Sequence, residues 1–165
     1  MEKAIWFHND KFVPAQNLKI PITDLAVQRG YGVFETQRTY NGRVFKLKEH
    51  LDRLFNSAKI ISLSLPWSKK FIEEKVYETL GKNKFPESLV KIIITGGQTR
   101  DFILPEGKPN LCILVFRLQP RKEEFYQKGV KVVTFPHQRF LPAAKTLNYQ
   151  AAVIARGLAK KQGAE

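Results

Sequence analysis

Cysteine is the scarcest chemically useful residue in this sequence, since Cys112 is the only one among 165 residues. A single thiol cannot close a disulfide within one chain, which fits the reducing environment of the cytoplasm. Cys112 lies in the apolar run Asn-Leu-Cys-Ile-Leu-Val-Phe, where a small core residue is favoured over a nucleophile. The sequence therefore predicts a cytoplasmic protein without disulfides.

Motifs of several common protein classes are also missing. The three histidines, His8, His50 and His137, are far apart and lack the Cys/His spacing of a zinc site. The run 30–32, Gly-Tyr-Gly, lacks the third glycine and the following helix of a dinucleotide fingerprint, and no serine occupies a nucleophile elbow. No apolar run approaches the ~18 residues of a membrane helix. We therefore expect neither a metal site nor a membrane segment.

Negative charge is in short supply, with 15 acidic against 28 basic residues and a net charge of +13. Such an excess is typical of nucleic-acid-binding proteins, but also of a solvated basic surface. The lysines and arginines are scattered in short clusters rather than aligned on one helix face. The solvated surface is therefore favoured, and a non-catalytic basic binding module for nucleic acid or a partner domain is the alternative of another class.

Turn signals and apolar alternation predict strands through the first two thirds of the chain. An Asn-Asp turn divides 4–13 into two short strands, and Asn41-Gly42 is a strong hairpin signal between two more. The remaining apolar runs are bounded by polar loops. The predicted strands are two within 4–13, then 33–40, 43–47, 89–95 and 111–118.

Helical periodicity predicts two helices between these strands. The first covers 47–61, and the second begins after the capping residue Ser68 and stops at Gly81. The predicted buried face of the second helix is Phe71, Ile72, Val76, Tyr77 and Leu80. Strands and helices together predict an α+β domain over residues 1–118.

The remainder of the chain is predicted to be the start of a second domain. A polar stretch with a proline, 119–123, is typical of a linker. Residues 124–165 supply one predicted strand, 130–135, and one amphipathic helix, 146–161. Because one strand and one helix cannot bury both faces of a sheet, this domain is expected to be incomplete.

Lys145 is the first candidate for chemistry. It stands in Ala-Ala-Lys-Thr-Leu-Asn-Tyr, between a strand-like run and a predicted helix start. Apolar neighbours would lower the pKa of an amine and expose its lone pair for imine formation. The alternative is an exposed lysine at the start of a helix, and the lysine considered alone favours that alternative.

His50 and Arg53 are the second candidates. They are three residues apart on the first predicted helix and therefore share one face. A guanidinium at the edge of a core can hold a phosphate through paired hydrogen bonds. The alternative is a structural ion pair with Asp52 or Glu49.

The strand 33–40 has the composition of a pocket wall. Alternation places Phe34, Thr36, Arg38 and Tyr40 on one face, and neither face is cleanly apolar. A mixed aromatic and cationic face suits a ligand pocket better than a core. Tyr31 precedes this strand, between two glycines.

The glycine-containing loop 95–101 is the last candidate. Its glycines permit close approach of a ligand, and Arg100 could clamp a substrate carboxylate. A flexible hairpin loop with a solvated arginine is an equally good interpretation.

In combination, these segments resemble the class IV (fold type IV) pyridoxal-phosphate enzymes, which include branched-chain aminotransferases, D-amino-acid aminotransferases and aminodeoxychorismate lyases. The resemblance is carried by 24–40 with its Gly-x-Phe-Glu, by His-x-x-Arg-Leu-x-x-Ser-Ala at 50–58, and by Lys-Thr-Leu-Asn-Tyr at 145–149. It implies the N-terminal two-layer domain of that fold plus the first strand and helix of the C-terminal domain.

The resemblance also implies a pyridoxal 5′-phosphate (PLP) site. Lys145 would form the Schiff base with PLP and move the proton between Cα and C4′, and Arg53 would hold the phosphate. Tyr149 would approach the phenolic oxygen of the cofactor. Tyr31, Phe34, Thr36, Arg38 and Arg100 would contact the substrate. The implied reaction transfers an amino group between an amino acid and 2-oxoglutarate in a homodimeric enzyme.

Two departures from the family pattern bear on these expectations. The family's later glutamate, which faces the pyridine nitrogen, and the rest of its phosphate cup have no counterpart before Glu165. We therefore expect the chain to be a truncated form of such an enzyme and to bind PLP weakly by itself. Phe102 stands where the D-amino-acid enzymes carry a histidine, which argues against that subgroup, and Arg38 in its strand favours the branched-chain type. An aminodeoxychorismate lyase on the same fold and an inactive fragment stay as alternatives.

Overall fold

A computed structural model describes residues 4–164 of the chain, which divide into two compact units. The first unit runs to Leu118 and also includes Ala143–Leu147, and the second consists of Gln119–Pro142 and the residues from Asn148 onward. The first unit ends where the predicted N-terminal domain ends. The segment around Lys145, however, lies in the first unit rather than with the residues that flank it.

The first unit is built on one antiparallel sheet of six strands in the order β2-β1-β6-β5-β3-β4. Polar turns connect the two strands of its short hairpins, as the sequence predicts, and Asn9 and Asn41 take the positive φ that such turns require. The strands are β1 (Ile5–His8), β2 (Lys11–Pro14), β3 (Gly32–Tyr40), β4 (Arg43–Val44), β5 (Ser88–Thr95) and β6 (Asn110–Arg117).

Helices α2 (Leu47–Ile60) and α3 (Lys69–Asn83) bury their apolar faces against this sheet. Ser68 caps α3 by accepting a hydrogen bond from the backbone N–H of Phe71 at 3.1 Å, as predicted. A shorter helix, α1 (Leu25–Arg29), precedes β3 and was not predicted from the sequence. The two layers enclose one core, in which Leu54, Ile72 and Ile92 are fully buried.

The end of α3 differs from the prediction. Gly81 does not stop the helix, which continues to Asn83. The Asn83 amide binds both backbone groups of Ile5 and the carbonyl of Thr79, so the extra half-turn is anchored to β1. Tyr77 is 41% exposed rather than buried, and Thr79 occupies the buried face instead.

The second unit contains α4 (Glu123–Lys128) and α5 (Gln150–Lys161). The predicted strand at 130–135 is wrong, because this stretch forms no backbone ladder with any described residue. Apolar alternation makes a strand only where a hydrogen-bonding neighbour exists. The predicted helix start at 146 is also wrong, since residues 145–147 follow an extended path and α5 begins at Gln150.

Candidate active site

Lys145 lies in a short extended segment that pairs with the start of β3. The N–H of Phe34 donates to the carbonyl of Lys145 at 3.1 Å, and the N–H of Leu147 donates to the carbonyl of Gly32 at 2.9 Å. A side chain at Gly32 would collide with Leu147 and with the Ile94 carbonyl, so glycine permits this approach. Lys145 is therefore a half-buried residue at the sheet edge, and not an exposed lysine at a helix start.

The face of β3 that carries Phe34, Thr36 and Arg38 is the one that meets this lysine. The Nζ of Lys145 lies 4.5 Å from the centroid of the Phe34 ring. Arg38 lies over the Tyr40 ring at 4.0 Å and donates from Nε to the Thr39 carbonyl at 3.2 Å. The residues that the sequence predicts for a pocket wall thus share a surface with the candidate Schiff-base lysine.

The opposite face of β3 is buried against the helices although most of its residues are polar. Val33, Glu35, Gln37 and Thr39 are all at most 4% exposed. Glu35 is the important member, because its carboxylate is enclosed completely yet fully hydrogen-bonded. The mixed composition of this strand therefore has two origins, a face that meets Lys145 and a buried face that carries Glu35 with its hydrogen-bonding partners.

Arg53 and His50 supply the partners of Glu35. Arg53 donates from Nε and from one terminal nitrogen to the two carboxylate oxygens, each at 2.6 Å, and His50 Nδ1 is 2.8 Å from Oε2. Burial raises the pKa of Glu35, but the hydrogen bonds and charges of Arg53 and His50 outweigh it and hold that pKa below its usual value. The Arg53 side chain is 51% exposed, so solvent reaches the guanidinium on the side away from Glu35.

The structural ion pair expected for Arg53 exists, but with a different residue. Asp52 pairs with Lys69 at 2.6 Å and Glu49 with Lys46 at 3.4 Å. Glu35 was missed because the contact joins a helix to a strand 18 residues earlier in the chain. The glutamate of Gly-x-Phe-Glu, on the face opposite Phe34, was the signal that could have identified it.

Tyr31 is held by packing and by a hydrogen bond. Its hydroxyl donates to the carbonyl of Ile61 at 2.8 Å, and its ring packs so close to Gly96 that no side chain could stand there. Burial raises the pKa of Tyr31. Tyr31 therefore ties the turn before β3 to the end of α2, and its contact with substrate stays a prediction.

Arg100 lies on an exposed loop. Its side chain is 95% exposed, and its Nε is 3.8 Å from a carboxylate oxygen of Glu106, which also accepts from the Arg100 backbone N–H. These residues line an open pocket of about 380 Å³ together with Thr23 and Gln98. The hydrogen bond and the ion pair of Arg100 are with Glu106 and do not bring it to Phe34 or Lys145. Its role in binding a substrate carboxylate therefore stays a prediction.

A buried carboxylate anchors the base of the same loop. Asp24 accepts from the backbone N–H of Ala26 at 2.7 Å, from Thr95 Oγ1 at 2.6 Å and from Asn110 Nδ2 at 2.8 Å. Burial and the Asp24 charge raise the pKa of Cys112 to about 12, which fits the predicted core thiol.

Two residues near Lys145 were not anticipated from the sequence. Lys91 pairs with Thr36 across β3 and β5, and its Nζ lies 5.0 Å from the centroid of the Phe34 ring, so two lysines approach the same aromatic ring. Ser57 on α2 accepts a hydrogen bond from the backbone N–H of Lys145 at 3.0 Å. Ser57 follows Arg53 by four residues, which is about one helical turn, so the two share a face of α2. This spacing was the signal that could have identified Ser57.

Tyr149 belongs to the second unit, where it immediately precedes α5. The guanidinium carbon of Arg139 lies 5.1 Å from its ring centroid. Both residues line a pocket of about 390 Å³ with Phe135, His137 and the small residues of α5. The assignment of Tyr149 to the cofactor stays a prediction.

The two-layer fold, in which Lys145 pairs with β3 and Arg53 binds the buried Glu35, is that of the fold type IV aminotransferases. A branched-chain amino acid aminotransferase of T.th., solved with pyridoxamine 5′-phosphate, superposes with a TM-score of 0.88 at 25% identity, covering 100% of this chain and 58% of that one. The Escherichia coli branched-chain enzyme has the same fold, with a TM-score of 0.86 at 23% identity, over 99% and 57% of the two chains. These likenesses confirm the predicted fold class.

The chain belongs to the class IV aminotransferase family, whose model, Amino-transferase class IV, matches residues 32–165. Enzymes of this family depend on PLP. A putative branched-chain-amino-acid aminotransferase of Methanocaldococcus jannaschii is 33% identical over 95% of this chain, and a D-alanine aminotransferase of Listeria innocua is 31% identical over 94%. The chain spans 56% of the length of each of these relatives.

The predicted family is therefore confirmed from the sequence and from the fold. No helix within residues 4–164 combines the length and the apolar character that crossing a lipid bilayer requires.

Proposed function

We propose that this chain carries the lysine and the phosphate-binding side of a PLP-dependent transamination site. The observation that supports this most directly is the placement of Lys145, whose backbone is hydrogen-bonded into the sheet edge while its amine lies over Phe34. Family membership supplies the cofactor, and the first unit alone holds both Lys145 and Arg53. Localisation in the cytoplasm and a homodimer are part of the same proposal.

The residues of the first unit fit such a cofactor. The Arg53 guanidinium is held in place by the buried Glu35 carboxylate, and its side chain is half-exposed. It is therefore both rigid and accessible, which are the two properties that a phosphate ligand needs. Ser57, which contacts the lysine backbone, follows Arg53 by one helical turn, or about 6 Å along α2. The two proposed cofactor ligands are therefore held by the same helix.

PLP, when bound, supplies an electron sink for the electrons of the substrate Cα–H bond. The chain supplies the groups that move and hold the proton. Lys145 would carry the cofactor through its amine and, once a substrate amine has displaced it, accept the proton from Cα. The apolar Phe34 ring limits the access of water to that amine.

The substrate class we favour is a hydrophobic, branched-chain amino acid, with 2-oxoglutarate as the amino acceptor. Phe34 offers an apolar contact, and Arg38 offers a cation for a carboxylate on the same face of β3. Thr36 and Lys91 lie between them in the sheet register. Tyr31, Arg100 and Tyr149 complete the proposed set, on the strength of the family resemblance.

The test is to incubate the chain with PLP, reduce the mixture with borohydride and map the modified lysine by mass spectrometry. The expected product is a phosphopyridoxyl group on Lys145 that is absent from Lys145→Ala. Lys91→Met is the matched control, because it removes the other lysine at Phe34 and should leave labelling of Lys145 in place. Labelling spread evenly over surface lysines would contradict the proposal.

Substrate assays separate the alternatives. A transaminase requires a 2-oxo acid acceptor and converts it to an amino acid, whereas an aminodeoxychorismate lyase requires no acceptor. A basic binding module would instead bind nucleic acid with an affinity that falls steeply as salt rises. Light scattering at several concentrations tests the homodimer.

A further inference from the structure

The backbone of Lys145 has two polar groups, and different parts of the first unit satisfy them. Its carbonyl accepts from Phe34 in the pairing with β3. Its N–H is not used in that pairing and donates instead to the hydroxyl oxygen of Ser57, at 3.0 Å and across 88 residues of sequence. Ser57 is 0% exposed, so no bulk water reaches this hydroxyl to replace it.

The Ser57 contact adds something that the β3 pairing cannot supply. Two hydrogen bonds to β3, at Lys145 and Leu147, hold the segment along the strand. The Ser57 hydrogen bond comes from α2 instead, so it restrains the segment in a different direction. A buried N–H without an acceptor also costs about 1–3 kcal/mol, so loss of the Ser57 oxygen favours displacement of the segment.

We propose that Ser57 is a positioning residue for Lys145, whose hydroxyl fixes the lysine backbone and thereby sets where its amine lies over Phe34. The consequence for imine formation rests on the function proposed above. The positioning itself does not, because it concerns the chain without cofactor. Since α2 also carries Arg53, Ser57 would fix the spacing between the two proposed cofactor ligands.

The decisive comparison is Ser57→Thr against Ser57→Val. The two side chains have the same shape and add the same methyl group, so any cost of fitting them is shared, and only the hydroxyl oxygen differs. Amide hydrogen exchange, followed by mass spectrometry on peptides that cover 143–147, is measured first, without PLP. We expect exchange in S57V to be about five to ten times faster than in S57T, which corresponds to the ~1 kcal/mol of one hydrogen bond.

A second arm measures the rate at which borohydride traps PLP on Lys145, with a surface lysine as the internal reference. S57V should trap several-fold more slowly at Lys145 than S57T and equally fast at the reference. Thr79→Val is the control for general destabilisation, because Thr79 is an equally buried hydroxyl on α3 that bonds only its own helix, at the Lys75 carbonyl. T79V should leave exchange at 143–147 and trapping at Lys145 unchanged.

The two arms separate failure of this proposal from failure of the proposed function. If wild type shows no trapping at Lys145, the function fails while the exchange arm still decides the role of Ser57. If S57V and S57T exchange equally fast at 143–147, or if T79V accelerates that segment as much as S57V does, Ser57 is not a positioning residue.

Discussion

Two stretches that are neighbours in sequence have opposite physical surroundings. Ala143–Leu147 is bound to β3 and α2 by hydrogen bonds between residues that are far apart in the sequence. Helix α5, which begins three residues later, belongs to the second unit and exposes apolar side chains, among them Val153 at 72% and Ile154 at 56%. The candidate Schiff-base lysine therefore lies in the part of the chain whose position is fixed by contacts between residues far apart in sequence.

The largest expected effect tests whether stability is concentrated in the first unit. Leu54→Ala removes a fully buried side chain from the core and should lower the free energy of unfolding by about 2–5 kcal/mol. Leu158→Ala on α5 removes a side chain that is 38% exposed and should cost less than about 0.5 kcal/mol. Urea unfolding can be followed by tryptophan fluorescence, since Trp6 and Trp67 both lie in the first unit. Equal shifts for the two variants would show that stability is not concentrated in the first unit.

The next effect concerns the buried charge at the site. Glu35→Gln keeps the shape of the side chain but leaves Arg53 and His50 without their anion, and breaking a buried ion pair costs about 3–5 kcal/mol at most. Because Arg53 is half-exposed and can be rehydrated, we expect a loss of about 2 kcal/mol, measured by the same urea titration at pH 7. A matched control is Glu87→Gln, which removes a carboxylate bound to Thr39 at the other end of β3.

The pH dependence of stability tests whether Glu35 stabilises the fold through its negative charge. The pKa of Glu35 is lower in the folded chain than in the unfolded one, so the unfolded state binds the proton more readily. The stabilisation by Glu35 is therefore fully present above the usual carboxyl pKa and is lost as the pH falls through the lowered folded value. The difference between wild type and Glu35→Gln should shrink steadily on acidification. A difference that stays constant from neutral to acidic pH would show that Glu35 stabilises through packing alone.

Local sequence patterns predicted much of the fold because turns, caps and helical periodicity act over a few residues. Asn41-Gly42 and Ser68 illustrate this, since each performs its predicted role through neighbours in the chain. The pairs that build the site, Glu35 with Arg53 and Ser57 with Lys145, join residues that are distant in sequence. Each side chain is unremarkable by itself, so only the assembled fold, or a resemblance to a known family, can bring them together.

The predicted strand at 130–135 was lost for the same reason. Its alternation is real, but a strand is defined by a partner, and no described residue of the chain provides one. Gly81 shows the converse, because a residue with the local chemistry of a helix stop is overruled by the contacts of Asn83 with β1.

A smaller effect is expected where the site residue Tyr31 meets the end of α2. Tyr31→Phe removes the hydroxyl that bonds the Ile61 carbonyl and should lower the free energy of unfolding by about 1 kcal/mol. Borohydride trapping on Lys145 should stay at the wild-type rate, because Tyr31 contacts neither Phe34 nor the lysine segment through its hydroxyl. A large loss of trapping with no loss of stability would instead give the hydroxyl a direct role in cofactor binding.

The smallest expected effect comes from the same substitution, glycine to alanine, made in one helix of each unit. Gly81 in α3 and Gly157 in α5 are both helical glycines with open space where a Cβ would stand. Alanine should stabilise each helix by about 0.5–1 kcal/mol, because glycine loses more backbone entropy on folding. If the two units differ as argued, Gly81→Ala should raise the midpoint of the tryptophan-detected transition, since α3 is part of the cooperative core. Gly157→Ala should leave that midpoint unchanged and only slow amide exchange along α5. A shift of the tryptophan-detected midpoint by Gly157→Ala would show that α5 unfolds together with the first unit. The lysine segment and α5 would then differ in their exposure to solvent but not in their stability.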